Sequence, residues 1–171
     1  MKRTKWVDRK FSFDIPEGWF LNTITRLEGT VIRLKSLTEA LSDVELSQQI
    51  HNGWSIKEHV GHLADLEAIH LGRIYDFIDK KDILRAADMS NKRTNEANHN
   101  NSNISELITQ FNTKRKVFIE ALQNLDDDTQ QFVSMHPRLK EKMKPVDLAF
   151  FTAEHDDHHV ATISSMIKSF Y

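Results

Sequence analysis

The segment WSIKEHVGHLADLE, residues 54–67, contains the start signal of a long helix. Ser55 and Glu58 have the spacing of a capping box, in which each side chain binds the backbone N–H of the other residue. The dipeptide Asn52-Gly53 just ahead of them interrupts the chain. The segment therefore predicts a helix that begins near Ser55 and runs to about Asp79.

Three further segments have the pattern of long helices. Apolar residues recur every three or four positions from Phe20 to Leu41, which predicts an amphipathic helix to about residue 43. A third helix begins after Asn103 and ends at residues 126–128. Pro145 suits the first turn of a fourth helix, which runs towards Tyr171.

The connections between these helices complete the predicted fold. Residues 80–103 form a long, polar, asparagine-rich crossover, and long connections are usually functional or mobile. Residues 11–15 alternate apolar and polar side chains, so we expect a short strand or an extended N-terminal arm. The sequence thus predicts an all-α protein, a four-helix bundle that forms one domain over residues 1–171. Its second helix carries a stripe of small residues, where a neighbouring helix of the same chain or of a second subunit can approach: Gly61, Ala64, Ala68 and Gly72.

Composition excludes several classes of function. The net charge of -2 gives no field that attracts nucleic acid or an anionic membrane, so both basic clusters, near the start and near residue 140, are expected to be solvated. The chain lacks cysteine, which excludes disulfides, cysteine-rich zinc sites and a cysteine nucleophile. No segment approaches the roughly 18 apolar residues of a membrane span, and no signal peptide is evident. We therefore expect a cytoplasmic protein.

The histidines of the fourth helix are the first candidates for a functional site. His155 and His159 fall on the apolar stripe of that helix, one turn apart, so both imidazoles can converge on one ion. His158 points away from the centre of the stripe and is the weaker candidate, although the sequence leaves open whether it replaces His159. Histidines on an apolar stripe also occur as core residues hydrogen-bonded to neighbours, and spacing alone does not decide between the two readings.

The second helix offers a third ligand, His62, with Glu58 and Asp65 on either side of it. Three histidines from two helices leave one coordination position open, which is typical of a catalytic metal site. Imidazole ligands suit zinc, nickel, copper or iron. Asp65 or Glu58 could orient His62 or accept a proton. The alternatives without a catalytic role are a surface carboxylate for Asp65 and a helix cap for Glu58.

Two motifs resemble those of a known family. Residues 54–67 resemble the second-helix signature of the DinB-like superfamily, and AEHDDHHVATI, residues 153–163, resembles its last-helix signature. The motifs occur in the expected order, and the resemblance covers essentially the whole chain. It implies a four-helix bundle, usually a homodimer, with a metal ion held by His62, His155 and His159.

The resemblance also implies a range of activities. Characterised relatives include transferases and isomerases that use low-molecular-weight thiols, and others are regarded as metal-dependent hydrolases. We therefore expect a metal-dependent enzyme, with zinc or nickel and an external thiol as candidate cofactors, acting on a small molecule. Arg73 is a candidate for binding an anionic substrate or thiol, or for a salt bridge on its helix. A non-catalytic metal-binding protein and a metal-free helical interaction module are the alternatives.

Overall fold

The computed structural model describes residues 4–50 and 52–171, and α-helices make up most of it. Within these residues, no helix combines the length and the apolar character needed to cross a membrane. Short 3-10 turns lie at residues 6–8, 17–19 and 99–101. In chain order the other elements are α1 (Phe20–Thr38), α2 (Asp43–Ser47), α3 (Ile56–Ile78), α4 (Lys92–Glu96), α5 (Ile104–Gln123), α6 (Asp127–Gln131), the antiparallel strands β1 (Ser134–Met135) and β2 (Lys142–Met143), and α7 (Pro145–Ile167).

The four long helices α1, α3, α5 and α7 form the predicted bundle. Helix α3 packs against α5 and α7, and α1 packs against the same two helices. The consecutive long helices α1 and α3 therefore lie diagonally across the bundle rather than side by side. This arrangement confirms the all-α, four-helix fold and places α3 next to α7, the two helices that carry the candidate ligands.

The start of α3 follows the predicted cap, whereas the end of α1 does not follow the predicted pattern. Ser55 Oγ accepts the Glu58 N–H at 3.1 Å, and the Glu58 carboxylate accepts the Ser55 N–H at 2.7 Å. Helix α1 stops at Thr38 instead of residue 43, because a second capping box, Ser42 with Glu45, starts the short helix α2. The side-chain bonds of Ser42 favour a new helix start over continuation of the old one.

The N-terminal segment is an extended arm rather than a strand. Its aromatic side chains pack on α7, with the Phe11 and Phe151 ring centroids 5.2 Å apart. The Asp147 carboxylate on α7 accepts the N–H groups of Asp14 and Ile15 at 3.0 and 2.8 Å. These bonds hold the arm across the bundle and place Trp6 beside the candidate ligands.

The small residues of α3 face a loop rather than a helix at two positions. A Cβ atom at Gly61 would collide with the imidazole of His99, and one at Gly72 would collide with the guanidinium of Arg85. Both partners belong to the crossover, residues 80–103, which also contains α4. At Gly61 and Gly72 the predicted stripe therefore allows this long connection to pack closely against α3.

A buried ionic layer joins all four long helices. Arg115 of α5 donates to Glu67 of α3 at 2.7 Å and to Asp156 of α7, and Thr30 of α1 donates to Asp156 at 2.9 Å. The side chains of Arg115, Glu67 and Asp156 are at most 1% exposed. The layer separates two apolar clusters, one containing Leu27, Phe77, Phe118 and Leu148 and the other Leu34, Val60, Phe111 and Ile163.

Replacing Arg115 with methionine should destabilise the protein strongly, because it leaves two buried carboxylates without their cation. Loss of one partner of a buried ion pair costs about 3–5 kcal/mol. Urea unfolding followed by circular dichroism measures the change. Arg33→Met is the matched control, since Arg33 is 40% exposed and its ion pair with Asp157 is worth less than about 1 kcal/mol. Equal losses in the two variants would contradict a structural role for the layer.

Candidate metal centre

The structure brings His62, His155 and His159 together. One ring nitrogen from each lies within 4.8 Å of the others, and all three residues are at most 8% exposed. The Nε2 atoms of His155 and His159 are 3.2 Å apart. The i, i+4 spacing on α7 aligns these two rings, and the packing of α3 on α7 brings His62 to them.

The outer ring nitrogens of two of these histidines are held by other side chains. His62 Nδ1 is 3.1 Å from the Thr94 hydroxyl, which in turn donates to the Asp65 carboxylate at 3.0 Å. His159 Nδ1 is 2.9 Å from His59 Nδ1. Such bonds fix the orientation of an imidazole, and a ring that donates from Nδ1 has an unprotonated Nε2 that can bind an ion.

The three imidazoles are neutral at pH 7. Burial, with a smaller contribution from His59, lowers the pKa of His62 to about 4. Burial also holds the pKa values of His155 and His159 well below the usual histidine range. A metal ion binds the unprotonated nitrogen, so these shifts keep the three side chains ready to act as ligands.

Two tryptophans enclose the cluster. The Trp54 ring lies 4.6 Å from the His62 ring, and the Trp6 ring lies 4.9 Å from the His155 ring, centroid to centroid. Beside them is a mainly apolar cavity of about 410 Å³, whose wall includes all three histidines. This volume suits a small organic molecule.

The cluster fits a divalent ion held by three nitrogens. Neutral imidazoles with buried, convergent ring nitrogens match the ligand type and number of an open catalytic site. The Nε2 atoms of His155 and His159, 3.2 Å apart, have the separation of two ligands of one ion. The buried Nδ1 of His155 has no hydrogen-bond partner among the described residues, whereas the second nitrogen of a metal-bound histidine usually donates to a protein group.

His158 and Asp65 lie outside the convergent group of three histidines. His158 lines the cavity and packs edge-on against His159, but the convergent group consists of the other three histidines. Asp65 reaches His62 through Thr94 and also contacts His99 at 2.9 Å and Arg93 at 3.2 Å. These contacts make Asp65 an indirect support of His62.

Glu58 and Arg73 have distinct positions. The Glu58 carboxylate accepts bonds from the Ser55 N–H and from Gln49, and within the described chain it does not belong to the cavity wall. Arg73 is buried, lines the cavity, and donates from Nε to the Arg85 carbonyl at 3.1 Å. Arg73 can therefore meet a ligand in the cavity, whereas Glu58 serves the cap of α3.

Several residues of the site were not predicted from the sequence. Thr94 lies in the crossover, Trp6 in the N-terminal arm, and His136 and Arg138 in the loop between β1 and β2. Each reaches the site from a distant segment, and no local periodicity marks it. The one available signal was the length of the crossover, which indicated a functional connection without naming its residues.

Comparison with solved structures finds the same fold. YfiT from Bacillus subtilis, described as a probable metal-dependent hydrolase with an unusual four-helix bundle topology, superposes with a TM-score of 0.81 and 21% sequence identity. The match covers 95% of this chain and 93% of that one. A mycothiol-dependent maleylpyruvate isomerase matches with a TM-score of 0.67 at 9% identity, over 86% of this chain and 60% of its own length.

Comparison of the sequence with curated proteins finds no significant match. The family models give a clear result, since the model of the DinB superfamily matches residues 26–163. This range contains all three histidines of the cluster and most of the bundle. The chain belongs to the DinB superfamily.

Proposed function

We propose that this chain is a metal-dependent S-transferase, which joins an external low-molecular-weight thiol to a small electrophile bound in the cavity. The observation that carries the proposal is the convergence of three buried, neutral imidazoles on the wall of a mainly apolar cavity. A zinc or nickel ion held by these histidines would supply a Lewis acid, which makes a thiol or a water molecule nucleophilic at neutral pH. In the transfer, a sulfur–carbon bond forms, the leaving group departs, and the thiol proton passes to solvent.

The residues of the chain would divide the remaining tasks. His62, His155 and His159 would hold the ion, and Thr94 and His59 would orient two of them. Trp54 and Trp6 would keep bulk water from the cluster. The apolar wall, which includes Leu66, Ile69 and Phe151, would bind the carbon skeleton of the electrophile.

The scarcity of carboxylates among the described residues of the cavity wall favours a thiol over water as the nucleophile. Among the described residues, Asp88 supplies the one carboxylate of the cavity wall, and its oxygens accept bonds from Ser90 and from the Lys92 N–H. A thiol, with a pKa near 8.5, loses its proton without a strong base, whereas activation of water is commonly assisted by one. Because the chain contains no cysteine, the thiol must come from outside.

Hydrolysis is the second candidate function. YfiT carries the description of a metal-dependent hydrolase, and its chain matches this one over nearly its full length. In this chain a hydrogen-bonded path joins the cluster to a carboxylate, because the Thr94 hydroxyl bonds to both His62 and Asp65. Ester cleavage without added thiol is the reaction that separates this candidate from S-transfer.

Metal content tests the site itself. Wild-type protein, expressed in medium supplemented with zinc, nickel and manganese, should contain about one ion per chain by elemental mass spectrometry. The double variant His155→Ala/His159→Ala should contain almost none, because two of three ligands are lost. His158→Ala is the matched control and should retain the ion. If the wild-type protein contains no metal, even after incubation with zinc, nickel and manganese, the metal centre is refuted. The metal-free helical interaction module is then the remaining alternative.

Turnover tests the proposed reaction. Conjugation of 1-chloro-2,4-dinitrobenzene with a panel of low-molecular-weight thiols should be catalysed by wild type. We expect the rate to fall at least about 100-fold in His62→Ala, because the ion is no longer held in an open three-nitrogen site. Cleavage of p-nitrophenyl acetate without thiol, lost in the same variant, would instead support the hydrolase. An ion that binds stoichiometrically without either reaction would favour a non-catalytic metal-binding protein.

The Thr94 hydroxyl gives a finer test of the ligand arrangement. Thr94→Val keeps the shape of the side chain but removes the bond that links His62 to Asp65. Zinc affinity, measured by competition with a chromogenic chelator, should fall about 10- to 100-fold. Thr25→Val, at an exposed position on α1, should leave the affinity unchanged. Equal affinities in wild type and Thr94→Val would contradict an orienting role for this hydroxyl.

A further inference from the structure

The cavity has a second polar region besides the three-histidine cluster. Its wall includes Arg73 of α3 together with His136 and Arg138 from the loop between β1 and β2. The His136 ring lies 5.3 Å from the ring of Phe151, which precedes His155 by one turn of α7. On α3, Arg73 follows His62 by eleven residues, or about 16 Å of helix rise. The second region therefore lies further along the same cavity.

His136, a residue of this region, has a buried hydrogen-bond donor without a partner among the described residues. Its Nδ1 accepts the Leu139 N–H at 3.2 Å, so the proton of the neutral ring must sit on Nε2. Nε2 is buried and has no hydrogen-bond partner among the described residues, and the residue is only 2% exposed. A buried N–H without an acceptor is unfavourable, so this donor suits a ligand that brings an acceptor atom.

The two guanidinium groups beside His136 also lack an anionic partner. Over the described part of the chain, neither Arg73 nor Arg138 forms an ion pair with a carboxylate. The charge of Asp76 acts on Arg73, but the oxygens of Asp76 accept bonds from the backbone and side chain of Arg85 and from Lys81. Burial lowers the pKa of Arg73 to about 10 and also lowers that of Arg138, as expected for cations that are partly desolvated.

We propose that Arg73, Arg138 and the Nε2–H of His136 form a subsite for the carboxylate or phosphate group of an organic anion. All three residues donate hydrogen bonds, and the two guanidinium groups supply positive charge, which together suit an oxyanion. Asp88 adds one negative charge to the cavity wall, but its oxygens are already engaged by Ser90 and Lys92. The apolar residues between the two polar regions suit the carbon chain of the same molecule.

The subsite deepens the proposed function by naming its ligand class. If the three-histidine cluster is the reaction centre, the electrophile or the thiol is an elongated acid that is anchored at one end and reacts at the other. This orientation would hold the reactive atom near the cluster and thereby raise the effective concentration of the reactants. The anion site itself does not depend on turnover, because its residues belong to the cavity wall rather than to the convergent cluster.

Isothermal titration calorimetry tests the subsite with three probes of the same chain length: hexanoate, hexyl phosphate and the neutral hexanamide. Wild type, both as purified and after removal of metal by chelation, should bind one of the anions at least about tenfold more tightly than the amide. The tighter anion identifies the acidic group. Binding of hexanamide as tightly as both anions would overturn the proposal.

Variants locate the binding. Arg138→Met should abolish the preference for the anion, whereas Lys142→Met, an exposed change on β2 of the same hairpin, should preserve it. Arg138 is only half-buried, so this variant is expected to fold even if Arg73→Met does not. Retention of the full preference in Arg138→Met would also overturn the subsite.

The tautomer of His136 provides an independent readout. A long-range ¹H–¹⁵N correlation spectrum of wild type should show a proton on Nε2, whose resonance shifts when the anion is added. A proton on Nδ1, or an Nε2 resonance unaffected by a bound anion, would count against the assignment. Because anion binding is also measured on metal-free protein, it can be observed even if the turnover assays fail. Conversely, turnover without a preference for acids would support the proposed function and contradict the subsite.

Discussion

The buried guanidinium of Arg115 constrains the whole bundle. A cation at the centre of a helical core is tolerated only if carboxylates and hydrogen-bond acceptors surround it. Here α3 supplies Glu67, α7 supplies Asp156, and α1 supplies the Leu27 carbonyl, with Thr30 supporting Asp156. Each long helix must therefore present one particular face to the centre. Burial raises the pKa of Glu67, because desolvation disfavours the charged carboxylate, although Arg115 opposes the shift.

The constraint at Arg115 extends to the histidine cluster. Asp156 directly follows His155 on α7, and Glu67 lies five residues after His62 on α3. Once the two carboxylates are fixed around the guanidinium, both helices have a defined rotation and height, so the three histidines meet beside the layer. A rotation of either helix that separated the imidazoles would also expose a charge of the layer to the apolar core. The cost of such a movement keeps the cluster preorganised.

Local sequence patterns predicted the elements of the fold but not the contacts between them. The capping box at Ser55 and Glu58 depends on four consecutive residues, and the pairing of His155 with His159 depends on one helical turn, so both were visible in the sequence. The Arg115 layer joins residues up to 126 positions apart, and an arginine on a helix is usually exposed, so nothing local marked it. The hairpin of β1 and β2 was missed because two-residue strands are too short to display a period of two. His62, by contrast, was found by its position on the helix, and the bundle geometry then placed it with its partners.

The crossover between α3 and α5 shows why part of the site could not be derived from the two helices alone. Its residues support α3 from outside: His99 fills the space over Gly61, Arg85 fills the space over Gly72, and Thr94 binds His62. A larger side chain at either glycine would displace the crossover, because in both cases the atoms in the way belong to a ring or a guanidinium held by further bonds. Asp65 of α3 bonds to both His99 and Thr94 and so ties the same connection to α3. The orientation of His62 therefore depends on a segment whose own composition indicates only a polar loop, and the small residues of α3 give that segment the close approach it needs.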